Sequence, residues 1–142
     1  MTTTPRGLMP APPTAIDADG NLTKPAMQKV VRHMLDGGAS GLVPLGGTGE
    51  FTALSPRTRI ACVEACVEAA DGAAVYAGVL APGLGEALPT ARDFKAAGAD
   101  GIMLIVPYYA RATQGTVIDY FRKVRETVDL PIMLYDNPAR SH

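Results

Sequence analysis

Six consecutive residues, Leu45-Gly46-Gly47-Thr48-Gly49-Glu50, hold the densest chemistry in this sequence. Glycines let backbone N–H groups approach a ligand closely and in geometries that a side chain forbids. Thr48 adds a hydroxyl able to donate to a carboxylate or phosphate oxygen. Such a stretch can cradle an anion; it is equally what a tight strand-to-helix turn without a ligand requires. Glu50 reads as a structural carboxylate that caps or bonds backbone N–H groups, rather than as a base. Further along, Pro107-Tyr108-Tyr109 carries two phenols, and Tyr135-Asp136-Asn137-Pro138-Ala139-Arg140 carries another phenol and a guanidinium. Phenols can move protons, and arginine can hold a carboxylate. Each has a plainer local role as well: Tyr108 packing at a strand end, Tyr135 in a core, Arg140 in water.

Other reactive types are sparse. Cys62 and Cys66 are four apart on one face of a predicted helix, with no Cys or His cluster to complete a metal site. They read as small packed apolar residues, with free thiols in a reducing compartment. His33 reads as a surface residue, and His142 carries no argument. The length of 142 residues suits one domain, and a hydrophobic fraction of 47% is enough for a core. Fourteen acidic residues against thirteen basic ones leave no basic stripe for nucleic acid and no charged tail. The longest apolar runs are of strand length, too short to span a membrane. The start, Met1-Thr2-Thr3-Thr4-Pro5-Arg6, has no apolar signal-peptide core, so the cytoplasm is the expected location.

The elements that must position these groups alternate regularly. Gly7 to Thr14 is a first strand candidate, short or irregular because Pro10, Pro12 and Pro13 remove ladder donors. Asp17 to Asn21 is turn chemistry, and Thr23 then caps a helix with Pro25 in its first turn. Met27, Val30, Val31, Met34 and Leu35 form its stripe, and Gly37-Gly38 stops it. A strand over Gly41–Leu45 leads into the glycine loop. Ser55-Pro56 opens a second helix whose inner face is Ile60, Val63 and Val67. A strand over Ala74–Val79 follows, then a helix that turns Leu84, Leu88, Ala91 and Phe94 inward. Gly101–Val106 is apolar on both faces, as a strand sandwiched in a parallel sheet should be. A helix after Thr113, with Val117, Tyr120, Phe121, Val124 and Val128, leads to a fifth strand, Ile132–Tyr135. Gly38-Ala39-Ser40-Gly41 and Gly98-Ala99-Asp100-Gly101 occupy equivalent helix-to-strand turns. Such alternation predicts a parallel α/β sheet, either open and doubly wound or part of a (β/α)8 barrel. In both, chemistry collects beyond the carboxyl ends of the strands, which is where Thr48, Glu50, Tyr108, Tyr109, Tyr135 and Arg140 fall.

Four segments in this order resemble the dihydrodipicolinate synthase / N-acetylneuraminate lyase family. They are Gly7…Ala11…Thr14…Asp17…Gly20-Asn21, Gly46-Gly47-Thr48-Gly49-Glu50, Pro107-Tyr108-Tyr109 and Tyr135-Asp136-Asn137-Pro138-Ala139-Arg140. The resemblance implies a (β/α)8 TIM barrel and class I aldolase chemistry. A lysine amine condenses with the ketone of pyruvate or a related 2-keto acid, and the iminium acts as an electron sink. It also implies roles: Gly47, Thr48 and Gly49 hold the keto-acid carboxylate, Tyr135 moves protons, and Arg140 stands at the cavity entrance. Tyr109 resembles the tyrosine that reaches into a neighbouring subunit's site. No metal or organic cofactor is implied, and the family's members are usually homo-oligomers, tetramers or dimers.

Three departures qualify the match. Gly47 stands where the synthases carry a hydroxyl, so a relay through two adjacent hydroxyls cannot run unchanged; a sugar-acid aldolase or dehydratase of the family tolerates this better. Asp136-Asn137-Pro138 replaces the common Asn-Val-Pro in a loop that shapes the pocket. A full barrel takes roughly 250 residues, and the family's Schiff-base lysine lies on a sixth strand. Lys24, Lys29, Lys95 and Lys123 all fall on predicted helices. The expectation is therefore an amino-terminal half of about five strands and four helices, without its nucleophile. The alternatives are a catalytically silent fragment serving in assembly or binding, and a phosphate-binding βα protein.

Overall fold

Proline governs how the chain enters its sheet. The computed structural model describes residues 5–141; the Met1–Thr4 start, read above for signal-peptide character, and His142 lie outside the described residues. Residues 7–14, expected as a first strand, form none. Ser40 N–H donates to the Leu8 carbonyl at 2.8 Å and Val43 N–H to that of Pro10 at 2.9 Å. Pro10, Pro12 and Pro13 have no N–H to return, so pairing stops at these accepted bonds.

Among the described residues the sheet therefore has four strands, not five: β1 (Gly41–Leu42), β2 (Ala74–Val79), β3 (Gly101–Ile105) and β4 (Ile132–Tyr135). All neighbours are parallel, in the order β1-β2-β3-β4. β1 is shorter than the expected Gly41–Leu45, because Pro44 lacks a donor and Leu45 turns to a φ of 61°. Even so, the Pro44 carbonyl accepts from Gly78 N–H at 2.8 Å, which keeps the loop against β2.

The helices are α1 (Lys24–Asp36), α2 (Pro56–Ala69), α3 (Leu84–Ala96), α4 (Gln114–Val128) and a single turn, α5 (Pro138–Ser141). Ser55 Oγ accepts from Thr58 N–H at 3.1 Å and Thr113 Oγ1 from Thr116 N–H at 3.3 Å, as N-caps do. Thr23 departs from its expected role: its side chain makes no cap bond. The two glycine repeats end α1 and α3 identically. Gly38 and Gly98 take φ of 95° and 93°, and the next N–H groups bond the carbonyls of Met34 and Phe94.

The core lies between sheet and helices. Met27, Val31, Val63, Val75, Phe94, Leu104 and Val124 are buried in it, with Cys62 and Cys66 as packed, free thiols. The hydrogen bond with Cys62 raises the Cys66 thiol well above its ordinary range, and burial adds to the effect. The inner face of α2 is rotated from the expected one: Thr58, Arg59, Cys62, Val63, Ala65, Cys66 and Ala69 are buried, whereas Ile60 and Val67 are half-buried. α2 packs against α1, α3 and β2 at once, so small residues are buried around much of its circumference. Leu84, at the mouth of α3, is exposed rather than inward. Among the described residues, no helix is long and apolar enough to cross a membrane.

Candidate functional site

Parallel strands point their carboxyl ends the same way, and here those ends surround a cavity of about 570 Å³. The loop after β1 contributes Gly47, Glu50, Phe51 and Thr52. Leu80 comes from the end of β2, and Ile105 and Tyr108 from β3 and its exit. Tyr135, Asn137 and Arg140 come from β4 and the turn that follows.

The glycine loop is folded tightly on itself. Leu45 and Glu50 both adopt left-handed φ, 61° and 56°. Gly78 is required beneath it, because a Cβ there would run into the Leu45 carbonyl. Gly49 is required within it, because its Cβ would lie 2.8 Å from Leu45 N. Thr14 Oγ1 donates to the Gly49 carbonyl at 2.7 Å, tying the irregular entry segment to the loop. Glu50 corrects the expectation: it precedes a 3₁₀ turn, Phe51–Ala53, but its exposed carboxylate makes no cap bond. Thr48 is exposed at the loop's crest beside Gly47 and does not itself line the cavity.

Behind this wall lies Arg59, a buried cation that apolar periodicity does not reveal. Its Nε donates to the Phe51 carbonyl at 2.9 Å, and its Nη1 to Glu86 Oε1 at 2.5 Å. Its guanidinium carbon lies 3.8 Å from the Phe51 ring centroid. A buried guanidinium must have its donors satisfied. Here the partners fix the 3₁₀ turn that carries Phe51 and Thr52 into the cavity.

The phenols divide by environment. Tyr135 Oη accepts from Asn137 Nδ2 at 2.9 Å. Tyr108 lines the cavity and donates to the Leu80 carbonyl at 3.1 Å, joining the ends of β2 and β3. Tyr109 is 90% exposed and lies outside the cavity. Tyr120 is buried on α4 with its hydroxyl unpartnered; burial raises this phenol above its ordinary range, and nearby Tyr108 adds to the effect.

Of the sequence-predicted residues, the fold thus brings Gly47, Tyr135 and Arg140 to one cavity. Gly49 lies buried just behind it, Thr48 beside it, and Tyr109 apart. Thr52 and Asn137 also line the cavity; the sequence marks Asn137 only as part of the Tyr135–Arg140 segment, and Thr52, beyond the Leu45–Glu50 stretch, not at all.

A parallel βα sheet with its cavity at the carboxyl ends of the strands is the working arrangement of (β/α)8 barrel proteins. The comparison with known sequences narrows this: the chain belongs to the dihydrodipicolinate synthetase family, which it matches over residues 4–142. It is 36% identical over 133 residues to the probable 2-dehydro-3-deoxy-D-pentonate aldolase YjhH of Escherichia coli (strain K12), covering 93% of this chain and 44% of that protein. It is 38% identical over 136 residues to the 4-hydroxy-tetrahydrodipicolinate synthase of Methanothrix thermoacetophila, covering 96% and 46%. The crystal structure of YagE, a prophage protein of this family from E. coli K12 in complex with pyruvate, is similar with a TM-score of 0.84 and 33% identity, covering 94% and 46%. The chain spans about half the length of these relatives.

Proposed function

We propose that these residues form the amino-terminal half of a (β/α)8 lyase or synthase that acts on pyruvate or a related 2-keto acid through a lysine Schiff base. The observation that carries the reading is the convergence of Gly47, Tyr135 and Arg140 on one cavity at the carboxyl ends of the strands. The pyruvate in the YagE structure and the aldolase description of YjhH support the substrate class.

The chemistry follows from the groups. An amine condenses with the ketone and expels its oxygen as water. The iminium then accepts the electron pair of a neighbouring carbon–carbon or carbon–hydrogen bond as that bond breaks. The resulting enamine either returns the pair to a new carbon–carbon bond or expels a neighbouring hydroxyl, protonated as water. N–H groups of the Gly47–Gly49 loop hold the carboxylate at the Gly47 edge of the cavity, with the Thr48 hydroxyl joining from beside it. Tyr135 relays protons to and from the carbinolamine and the cleaved bond. Arg140 meets an anionic substrate at the entrance. Tyr109, exposed away from its own cavity, serves a neighbouring subunit in a homo-oligomer.

None of the four lysines is the nucleophile. None lines the cavity. Lys24 pairs with Glu68 at 2.8 Å, Lys95 Nζ donates to the Val128 carbonyl at 2.9 Å, and Lys29 and Lys123 are exposed on α1 and α4. The amine therefore comes from outside these 142 residues. Reduction with borohydride in the presence of pyruvate, followed by peptide mapping of this polypeptide, tests the point. No adduct is expected on any of the four; a stable adduct on one of them contradicts the assignment.

A further inference from the structure

Tyr135 takes its hydrogen bond from a residue two positions along the chain. Asn137 Nδ2 donates to Tyr135 Oη at 2.9 Å, and both half-buried residues line the cavity. The Gly47 wall brings no side chain of its own, and a Cβ built at Gly47 would meet no atom within 4 Å. The other phenol of the cavity, Tyr108, is already committed to the Leu80 carbonyl. Asn137 is itself anchored: its carbonyl accepts from Arg140 N–H at 2.9 Å, Ser141 N–H at 2.9 Å and Ser141 Oγ at 2.8 Å. The carboxamide thus reaches the phenol from a turn that its own backbone bonds hold in place.

A phenol oxygen has one proton and two lone pairs. An N–H donated to that oxygen occupies one lone pair, turns the O–H away from the amide and polarises it as a donor. We propose that Asn137 is the positioning residue of Tyr135, fixing the direction in which the phenol presents its proton to the cavity. The proposal rests on the reading of Tyr135 as the proton-transfer group. It locates the phenol's partner in the residue after Asp136, at one of the positions where this sequence departs from the common form of its family. A valine side chain there has no donor to offer.

The test is a three-point series on this polypeptide carrying ¹³Cζ-labelled tyrosine, with the Tyr135 resonance identified by its loss in Tyr135→Phe. Asn137→Val removes the donor. Asn137→Asp, close to asparagine in shape, only accepts when ionised and obliges the phenol to donate instead. The expected result is a Tyr135 resonance in Asn137→Val that falls between those of the unmodified chain and Asn137→Asp, with the Tyr76 and Tyr120 resonances unmoved. A Tyr135 resonance unchanged by valine overturns the proposal. So does a series in which the unmodified chain and the aspartate variant fall on the same side of valine, because the phenol would then be the donor in both. The series is recorded without keto acid, so it holds or fails independently of the pyruvate measurements that test the underlying reading.

Discussion

Leu104 and Leu134 are register partners on neighbouring strands, yet Leu104 is fully buried and Leu134 is 65% exposed. Register partners in a parallel pair lie side by side and share a face of the sheet, so the difference comes from what covers each strand. β3 has a strand on either side and packs against α3, whereas among the described residues β4 pairs with β3 alone. The cavity inherits this asymmetry. Its wall beside β1 and β2 is set into the core through Phe51, Arg59 and the close approach of Leu45 to Gly78. Its other wall, with Tyr135, Asn137 and Arg140, rests on β4 and a single helical turn. One half of the site is preformed by long-range packing, and the other is ordered by bonds between near neighbours in sequence.

Leu104→Ala probes the covered strand and carries the largest expected effect. A cavity opened in this packing should cost about 3 kcal/mol, read as a fall in the urea midpoint. Arg59→Met comes next. It leaves the Phe51 carbonyl and Glu86 without their partner; because Glu86 is 41% exposed, the loss is discounted from the fully buried case to about 2 kcal/mol. The same substitution should move the amide resonances of Phe51 and Thr52 more than those of Tyr135 and Asn137, since it releases only the core-set wall. Leu134→Ala, on the uncovered strand, should stay within about 0.5 kcal/mol. Equal losses at positions 104 and 134 would break the comparison, because they would mean that Leu134 is as well covered in solution as its partner.

Much of this architecture was legible in the residues themselves. Alternating apolar runs and caps, with glycine stops at Gly38 and Gly98, mark the βα units because each signal is local. The glycine loop, Tyr135 and Arg140 were found as candidates because parallel strands deliver their carboxyl ends to one place. What escaped depends on contacts remote in sequence. Arg59 is buried only because Phe51 folds back over it and Glu86 arrives from α3, 27 residues later. The rotated face of α2 reflects three packing partners, where periodicity assumes one. The missing first strand was half legible: its prolines predicted irregularity, but the loss of pairing depends on which N–H groups the neighbouring strand required. The sequence shows Asn137 only as a departure in a pocket loop, because its bond to Tyr135 depends on how the turn after β4 folds.

The account rests on a carboxylate held by the Gly47–Gly49 loop and facing Tyr135. Titrating the ¹⁵N-labelled polypeptide with pyruvate measures this directly. The predicted result is saturable shifts of the Gly47, Thr48 and Gly49 amides, with Thr48→Val weakening the apparent affinity by roughly 10-fold, the low end for one hydrogen bond to a charged group because Thr48 is exposed. Shifts confined to the cleft between α1 and α2, around Arg32, Asp36 and Asp71, or no saturable shift at the loop, would contradict it.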